Sequence, residues 1–315
     1  MGYMEEEKKK RLIIIDSNAV IHRAFHALPP LTTKKGEIVN AVYGFLLIFL
    51  KTIKEFNPDF IVATFDFPAP TFRHKKYRLY KANREKAPQE LYDQIPKVKE
   101  VLKVFKIKIL EKKGFEADDL IGTVAKLAKR KQIFPPMETI ILTGDMDALQ
   151  LVDNNTKVYA PKRGVKDAIL YEREEVKEKM GGLNPEQVVD YKALRGDPSD
   201  NIPGIDGIGD KTAISLLLKY KSLENLYEEL RENTKKVKEM NQNLKEKLLI
   251  QKDQALVSQM LAQINKDVPI ELDFKDCLWK KYDREEVVRM FEDYGFKTLI
   301  NRLPEESLKS NLSLW

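Results

Sequence analysis

Short apolar runs that each deliver the chain into acidic residues set the strongest limit on what this sequence can fold into. Asp16 follows the run 12–15, Asp66 follows 60–65, and Asp145 and Asp147 follow 139–142. Glu116, Asp118 and Asp119 come shortly after 107–110, at the head of a helical stretch. Apolar runs of this length, bounded by turn residues and separated by helical periodicity, read as parallel strands in a βα alternation with helices on both faces of the sheet. In such open sheets ligands bind beyond the carboxyl ends of the strands, where all seven acids would gather. Carboxylates so crowded repel one another unless cations neutralise them, and hard oxygen donors suit Mg²⁺ or Mn²⁺.

The rest of the first half fits that alternation. Residues 19–28 and 39–56 read as helices, the second apolar enough to be buried, and 91–105 and 116–131 as two more, with Pro135-Pro136 as a stop. A last short strand is expected at Val158-Tyr159. From about residue 184 the character changes to helices joined by short turns, at 185–194, 211–220, 222–229, 243–264 and 283–291, with a return to strand at 268–272. This predicts an α/β core over 11–183, a helical region over 184–303, and a poorly ordered tail over 304–315.

Charge points to the partner class. The 315 residues carry 55 Lys and Arg against 49 Asp and Glu, a formal +6, so a basic surface would surround an acidic centre. That combination suits a polyanion needing metal chemistry. The single cysteine, Cys277, excludes an internal disulfide and a cysteine zinc site, and fits a reducing cytoplasm. Residues 1–11 lack the apolar stretch of a signal peptide, and the longest apolar run, 45–50, is too short to span a bilayer.

Two further acids, Asp197 and Asp200, stand three apart in a turn and bring the candidates to nine. Taken singly, Asp118 or Asp119 reads as a first-turn helix residue and Asp197 as a turn residue before Pro198. Capping does not explain four strand ends that all carry acids. Between Arg73 and Lys86 lie seven cations with Tyr77 and Tyr80 among them and only Glu85 opposing, a pattern able to hold phosphates and stack unpaired bases. The stretch 204–213 has the glycines of a P-loop but not its spacing, since Gly209 is followed by Asp210. A helix-hairpin-helix over about 190–220 fits better, with Gly207 and Gly209 allowing close backbone approach and Lys211 facing phosphate. His22 and His26 lie four apart, but Arg23 stands where a zinc-protease glutamate would be and no third ligand follows.

Several motifs together resemble the 5′-nuclease, or flap endonuclease, family, and in particular the amino-terminal 5′→3′ exonuclease domains of bacterial polymerases. They are Asp16-Ser17-Asn18, Thr71-Phe72-Arg73-His74, Tyr80-Lys81-Ala82-Asn83-Arg84, Glu116-Ala117-Asp118-Asp119, Thr143-Gly144-Asp145-Met146-Asp147 and the run from Gly196 to Gly204, in family order from 12 to 303. The resemblance implies a PIN-like, mostly parallel sheet with a helical arch over about 68–100 and a helix–three-turn–helix region. It implies a structure-specific 5′→3′ exonuclease and flap endonuclease cutting DNA, and RNA in RNA–DNA duplexes, near single/double-strand junctions. The associated biology is primer removal, nick translation and repair, beside a polymerase in cis or trans, by a monomer. Asp16, Asp66, Glu116, Asp118, Asp119, Asp145, Asp147, Asp197 and Asp200 take the positions that hold two Mg²⁺ or Mn²⁺ ions. Lys81 and Arg84 take catalytic positions at the arch base. Arg23, Arg73, Tyr77, Tyr80, Lys192, Gly207, Gly209 and Lys211 take DNA-binding positions, with a monovalent cation (K⁺) at the hairpin. Lys75-Lys76 departs from the pattern, since relatives often carry an acid there. Two rivals are a non-catalytic flap-recognition module, which full retention of the acids opposes, and a metal-dependent ribonuclease, which would lack the basic segment and the glycine hairpin.

Overall fold

The apolar runs at 12–15, 60–65, 107–110 and 139–142 each form a strand, and alternation along each strand decides which face its side chains cover. The computed structural model describes residues 9–130, 137–162, 167–279 and 282–304. Strands β1 (Arg11–Asp16), β2 (Phe60–Thr64), β3 (Lys108–Leu110), β4 (Glu138–Leu142), β5 (Thr156–Pro161) and β6 (Ala168–Tyr171) form one sheet in the order β3-β2-β1-β4-β5-β6. The first five are mutually parallel and β6 runs antiparallel to β5.

Helices α1 (Ser17–Ala27), α2 (Asn40–Phe56), α3 (Phe72–Lys76), α4 (Gln89–Tyr92), α5 (Gln94–Val104), α6 (Ala117–Leu127) and α7 (Arg173–Lys179) accompany the sheet. A helical region follows with α8 (Val188–Arg195), α9 (Asp210–Tyr220), α10 (Leu223–Glu232), α11 (Lys235–Lys238), α12 (Gln242–Ile250), α13 (Lys252–Ala262), α14 (Arg284–Asp293) and α15 (Lys297–Ile300). Ile13, Ile15, Ile61, Ala63, Ile140 and Leu142 face one side of the sheet with α2, α5 and α14. Leu12, Ile14, Val62, Ile141 and Val158 face the other with α6. Each such valine, leucine or isoleucine, fully buried, contributes about 1.5–3 kcal/mol relative to exposure, and period-2 alternation lets one strand serve both cores. A third core, built on Leu194, Leu216, Leu217, Leu226 and Leu230, holds α8 to α13 together.

Strand order fixes the crevice. β1 pairs with β2 on one side and β4 on the other, Asp16 opposite Thr64 and Ile15 opposite Leu142. Connections on the two sides of β1 run in opposite directions along the sheet, so the switch point opens beside the β1 carboxyl end. Asp16, Asp66 and Asp145 emerge there from neighbouring strands.

Some expectations are corrected. The segment 268–272 alternates buried and exposed residues but pairs with no strand: the Val268 N–H goes to Thr123 Oγ1 (3.0 Å), so the chain lies along α6. The 91–105 helix is two pieces, because Pro96 has no N–H to bond the preceding turn. The 243–264 helix breaks at Gln251 (φ −103°, ψ 22°), whose side chain accepts the Asp206 N–H at 2.8 Å. α6 ends at Leu127, and β6 and α7 are additions. The arch segment of about 68–100 holds the five-residue helix α3, turns at 78–83, and then α4 and the first part of α5. The Pro135-Pro136 stop and the tail from 305 lie outside the described residues.

The loop from Gly196 to Gly204 closes on itself, with Asp197 and Ile202 exchanging both backbone hydrogen bonds at 2.9 Å. Gly204 (φ 66°) passes so close that a Cβ on it would lie 2.2 Å from the Gly196 nitrogen. Gly204→Ala is therefore expected to cost about 3 kcal/mol or more, through backbone clash and left-handed strain combined. Urea unfolding measures it, and a loss under about 1 kcal/mol would contradict the close crossing.

Candidate active site

Asp16 ends β1 and caps α1 at the same time. Its Oδ1 accepts the Ala19 N–H (3.0 Å) and its Oδ2 accepts the Thr143 hydroxyl (2.6 Å), which ties β1 to β4 across the switch point. Asp66 accepts the Ala117 N–H (2.8 Å) at the start of α6, and its own N–H donates to Asn18 Oδ1 (3.1 Å). Asp145 accepts the Asp147 N–H (2.8 Å) and so begins the short 3-10 turn Met146–Leu151. Thus the residues that start three helical elements are the residues that crowd the crevice, with capping and clustering served by the same acids.

Cations from two other elements reach into this crowd. Lys81 holds a left-handed backbone (φ 56°), its N–H donates to the Asp200 carbonyl (2.9 Å), and its ammonium lies 3.0 Å from Glu116 Oε2 and 3.7 Å from Asp200 Oδ2. Arg84, half-exposed, pairs with the other Asp200 oxygen. The half-buried Lys192 stands between Asp147 and Asp197, 2.6 Å from the latter. Ser199 holds Asp197 Oδ1 with both its N–H (2.9 Å) and its hydroxyl (2.6 Å).

Burial is the first cause of the electrostatics here. It pushes the Asp16 carboxyl up to about 7, with the repulsion of Asp145 and Asp66 added and the Thr143 and Ala19 hydrogen bonds opposing. Asp118 is raised well above the usual carboxylate range by burial, then by Asp145 and Asp16. Asp147 rises to about 6 through burial and Asp145, with Lys192 pulling the other way. Burial also raises Asp66, against the Ala117 hydrogen bond. At Asp197 burial is overcome by Lys192 and the Ser199 hydrogen bonds, which bring it down to about 2. Lys81 is disfavoured by burial, yet Glu116 and Asp200 raise it above its ordinary value.

These donors fit hard divalent cations. The set is all carboxylate oxygen, and Asp118 accepts no hydrogen bond from a described residue while Asp145 and Asp16 press on it. Among the described residues no three acids, histidines or cysteines already stand in ligand geometry for one ion. Lys81, Arg84 and Lys192 hold Glu116, Asp200, Asp147 and Asp197 instead.

Four expected residues sit elsewhere in the chemistry. Asp119, fully buried, faces Arg73 rather than the crevice and takes both guanidinium nitrogens at 2.8 Å, with the N–H groups of Glu116 (3.1 Å) and Asn265 (2.8 Å) on the same carboxylate. That leaves it without free acceptor capacity for an ion. Arg73, 2% exposed, also donates to the carbonyls of Leu261 (2.9 Å) and Gln263 (2.7 Å), so it is an internal clamp and not a DNA contact. Tyr80, 3% exposed, donates its hydroxyl to Glu116 (3.0 Å) and has no free face for a base. Lys192 is engaged by its two acids.

Tyr77 is half-buried against the cluster of Val189, Ile202 and Leu261. Arg23 is half-buried, with an Nε that finds no partner. Lys75, Lys76, Arg78 and Lys86 are exposed, as are Gly207, Gly209 and Lys211. Thr143, Asn18 and Ser199 join the site unpredicted as side chains. Their signal was their place within the acidic motifs, one or two residues from an acid.

Comparison with known proteins agrees in both halves. Residues 11–181 match the family model for the 5′-3′ exonuclease N-terminal resolvase-like domain, and 183–285 match that for the 5′-3′ exonuclease C-terminal SAM fold. DNA polymerase I of Bacillus subtilis (strain 168) is 42% identical over 303 residues, 96% of this chain and 33% of that protein. The thermostable DNA polymerase I of Thermus thermophilus is 41% identical over 269 residues, 85% of this chain and 30% of that protein. The chain thus spans about a third of the length of the curated relatives it matches. Among solved structures, the T5 D15 protein co-crystallised with metal ions superposes with a TM-score of 0.65 at 16% identity, covering 93% of this chain and 97% of that one. The catalytic core of Rad2 in complex with DNA substrate gives 0.59 at 19% identity, covering 94% of each chain. At these identities the likeness is one of fold.

Proposed function

The chain belongs to the 5′-3′ exonuclease family, and from that membership we propose that it hydrolyses phosphodiester bonds of DNA near single/double-strand junctions. It acts as a 5′→3′ exonuclease and flap endonuclease, and accepts RNA paired to DNA. The observation that carries the reading is the meeting of Asp16, Asp66, Glu116, Asp118 and Asp145 at the switch point, with Lys81 and Arg84 on its rim. When bound, two divalent ions, Mg²⁺ or Mn²⁺, supply the charge that activates water and neutralises the scissile phosphate.

The chain's own residues do the rest. Asp16, Asp66, Glu116, Asp118 and Asp145 provide the inner oxygen donors, and Asp147, Asp197 and Asp200 extend them toward α8. Asp119 supports this set from behind, through the Glu116 N–H. Lys81 and Arg84 turn from their acids to the phosphoryl oxygens, where charge builds in the transition state. Lys75, Lys76, Arg78, Arg23 and Tyr77 guide the single strand. Gly207, Gly209 and Lys211 hold duplex phosphates at the α9 start, and backbone carbonyls of that hairpin hold a monovalent ion such as K⁺.

In this reading 11–183 is the nuclease core and 184–303 the DNA-binding region. The protein works as a monomer in the cytoplasm, in primer removal, nick translation and repair, beside a polymerase in cis or trans. No helix among the described residues is long and apolar enough to cross a membrane. Cleavage of a 5′-flap duplex with Mg²⁺ and with EDTA, against a single-stranded RNA control, tests the reading. Cutting of the RNA alone, or cutting indifferent to EDTA, would overturn it.

Lys81→Ala is expected to lower kcat by about 10²-fold with a smaller change in KM, because its charge is needed most in the transition state. Single-turnover kinetics on the flap substrate measure both. A loss confined to KM would assign Lys81 to binding alone.

A further inference from the structure

The elbow where α12 meets α13 is apolar in the wrong place for a soluble surface. Ile250 is 82% exposed and Leu249 47%, on the outer side of a joint whose inner residue, Leu248, is fully buried. Isolated exposed leucines need no explanation, but two adjacent apolar residues at a projecting bend do. The joint is also tied to the glycine hairpin. Gln251 accepts the Asp206 N–H at 2.8 Å and Gln254 donates to the Gly204 carbonyl at 2.9 Å. Lys247, one turn before the bend, lays its ammonium over Gly207, within 2.5 Å of where a Cβ on that glycine would sit.

We propose that this elbow is a second contact for the duplex gripped by the hairpin, with Lys247 on a phosphate and Ile250 against the deoxyribose face at the minor-groove edge. The inference rests on the DNA-binding reading above and extends it to residues outside the hairpin. Charge selects the occupant. Lys247 and Lys211 are exposed, and neither makes an ion pair with a described residue. Of the two acids of the hairpin, Asp210 is paired with Arg195 at 2.7 Å, and the exposed Asp206 is outnumbered by the two lysines. Two ammonium groups without ion pairs, Lys247 over Gly207 and Lys211 beyond the open Gly209, form a place for a polyanion. An apolar side chain beside them meets sugar carbons and base edges rather than water, as apolar side chains do in minor grooves. The two glutamine bonds hold the elbow at a fixed distance from the hairpin, so both contacts fall on one duplex.

Fluorescence anisotropy on a blunt duplex and on a single strand of equal length, in EDTA and at several salt concentrations, tests this. Lys247→Glu and Lys247→Ala are expected to weaken duplex binding, the glutamate variant by about tenfold, and to lower the salt slope by about 0.9, the share of one phosphate. Ile250→Ser should weaken it about threefold with the slope unchanged, since no ion is released by an apolar contact. Single-strand binding should not move in any variant, and Lys54→Ala, on the far side of the sheet, should match wild type throughout. Both sites are exposed, and unchanged melting curves establish that the variants fold. Duplex affinities and slopes within experimental error of wild type would overturn the proposal. A wild-type chain that binds no duplex at all would instead overturn the DNA-binding reading beneath it.

Discussion

Asp118→Asn is expected to lower turnover by about 10³-fold while making the metal-free protein more stable. The loss follows from removing the carboxylate that burial, Asp145 and Asp16 all press toward neutrality, since such a group persists where a cation offsets its charge during catalysis. The gain follows from the same pressure, because one pKa unit of upward shift corresponds to about 1.4 kcal/mol of destabilised charged form. The pH dependence has a definite sign. Asp16 at about 7 and Asp147 at about 6 bind their protons more tightly folded than unfolded. Their stabilising contribution is complete below the unfolded value near 4 and is lost as pH rises toward 7. Asp197 works oppositely, lending stability above about pH 4 that disappears as pH falls toward 2. Melting curves in EDTA should therefore fall between pH 5 and pH 8 for wild type and fall less for Asp118→Asn. A variant that loses stability at pH 8 would mean that Asp118 is a structural residue and not part of a repulsive centre.

Arg73→Ala is expected to destabilise the fold by about 3–5 kcal/mol, the usual result of leaving a buried charge without its partner. The guanidinium joins α3, the start of α6 and the end of α13 through Asp119 and the carbonyls of Leu261 and Gln263. Asp119, with no exposed surface, would lose its counter-charge and keep only the N–H groups of Glu116 and Asn265. Replacing both residues, as Arg73→Leu with Asp119→Leu, should recover only part of the loss: no orphaned charge remains, but the carbonyls of Leu261 and Gln263 and the N–H groups of Glu116 and Asn265 lose their side-chain partners. Urea unfolding of Arg73→Leu, Asp119→Leu and the double variant completes the cycle. A single variant within about 1 kcal/mol of wild type would show that the clamp contributes little.

The contrast between these two acids marks how far sequence reasoning reached. Asp118 and Asp119 are adjacent, sit in one motif and carry the same charge, yet one faces the crevice and the other the protein interior. Helix geometry separates neighbours by about 100°, so a helix with one acid toward a crevice turns the next one away from it. Which of them faces the interior depends on Arg73, 46 residues earlier. The sheet, its crevice and most of the acids were legible because strand runs, turn residues and acids are local signals. Strand β6 was not read from the sequence, and its antiparallel pairing with β5 at the sheet edge arises only from packing. The segment 268–272 misled in the opposite way, since burial against α6 leaves the same alternation that a strand would. The left-handed Lys81 and the engagement of Lys192 by Asp147 and Asp197 arise only from long-range packing.

Anomalous diffraction from crystals soaked in Mn²⁺ tests the central claim most directly. The account predicts strong peaks among Asp16, Asp66, Glu116, Asp118 and Asp145, with Lys81 and Lys192 drawn away from their present carboxylate partners. Ordered manganese only at surface carboxylates, with that crevice free of density, would contradict it.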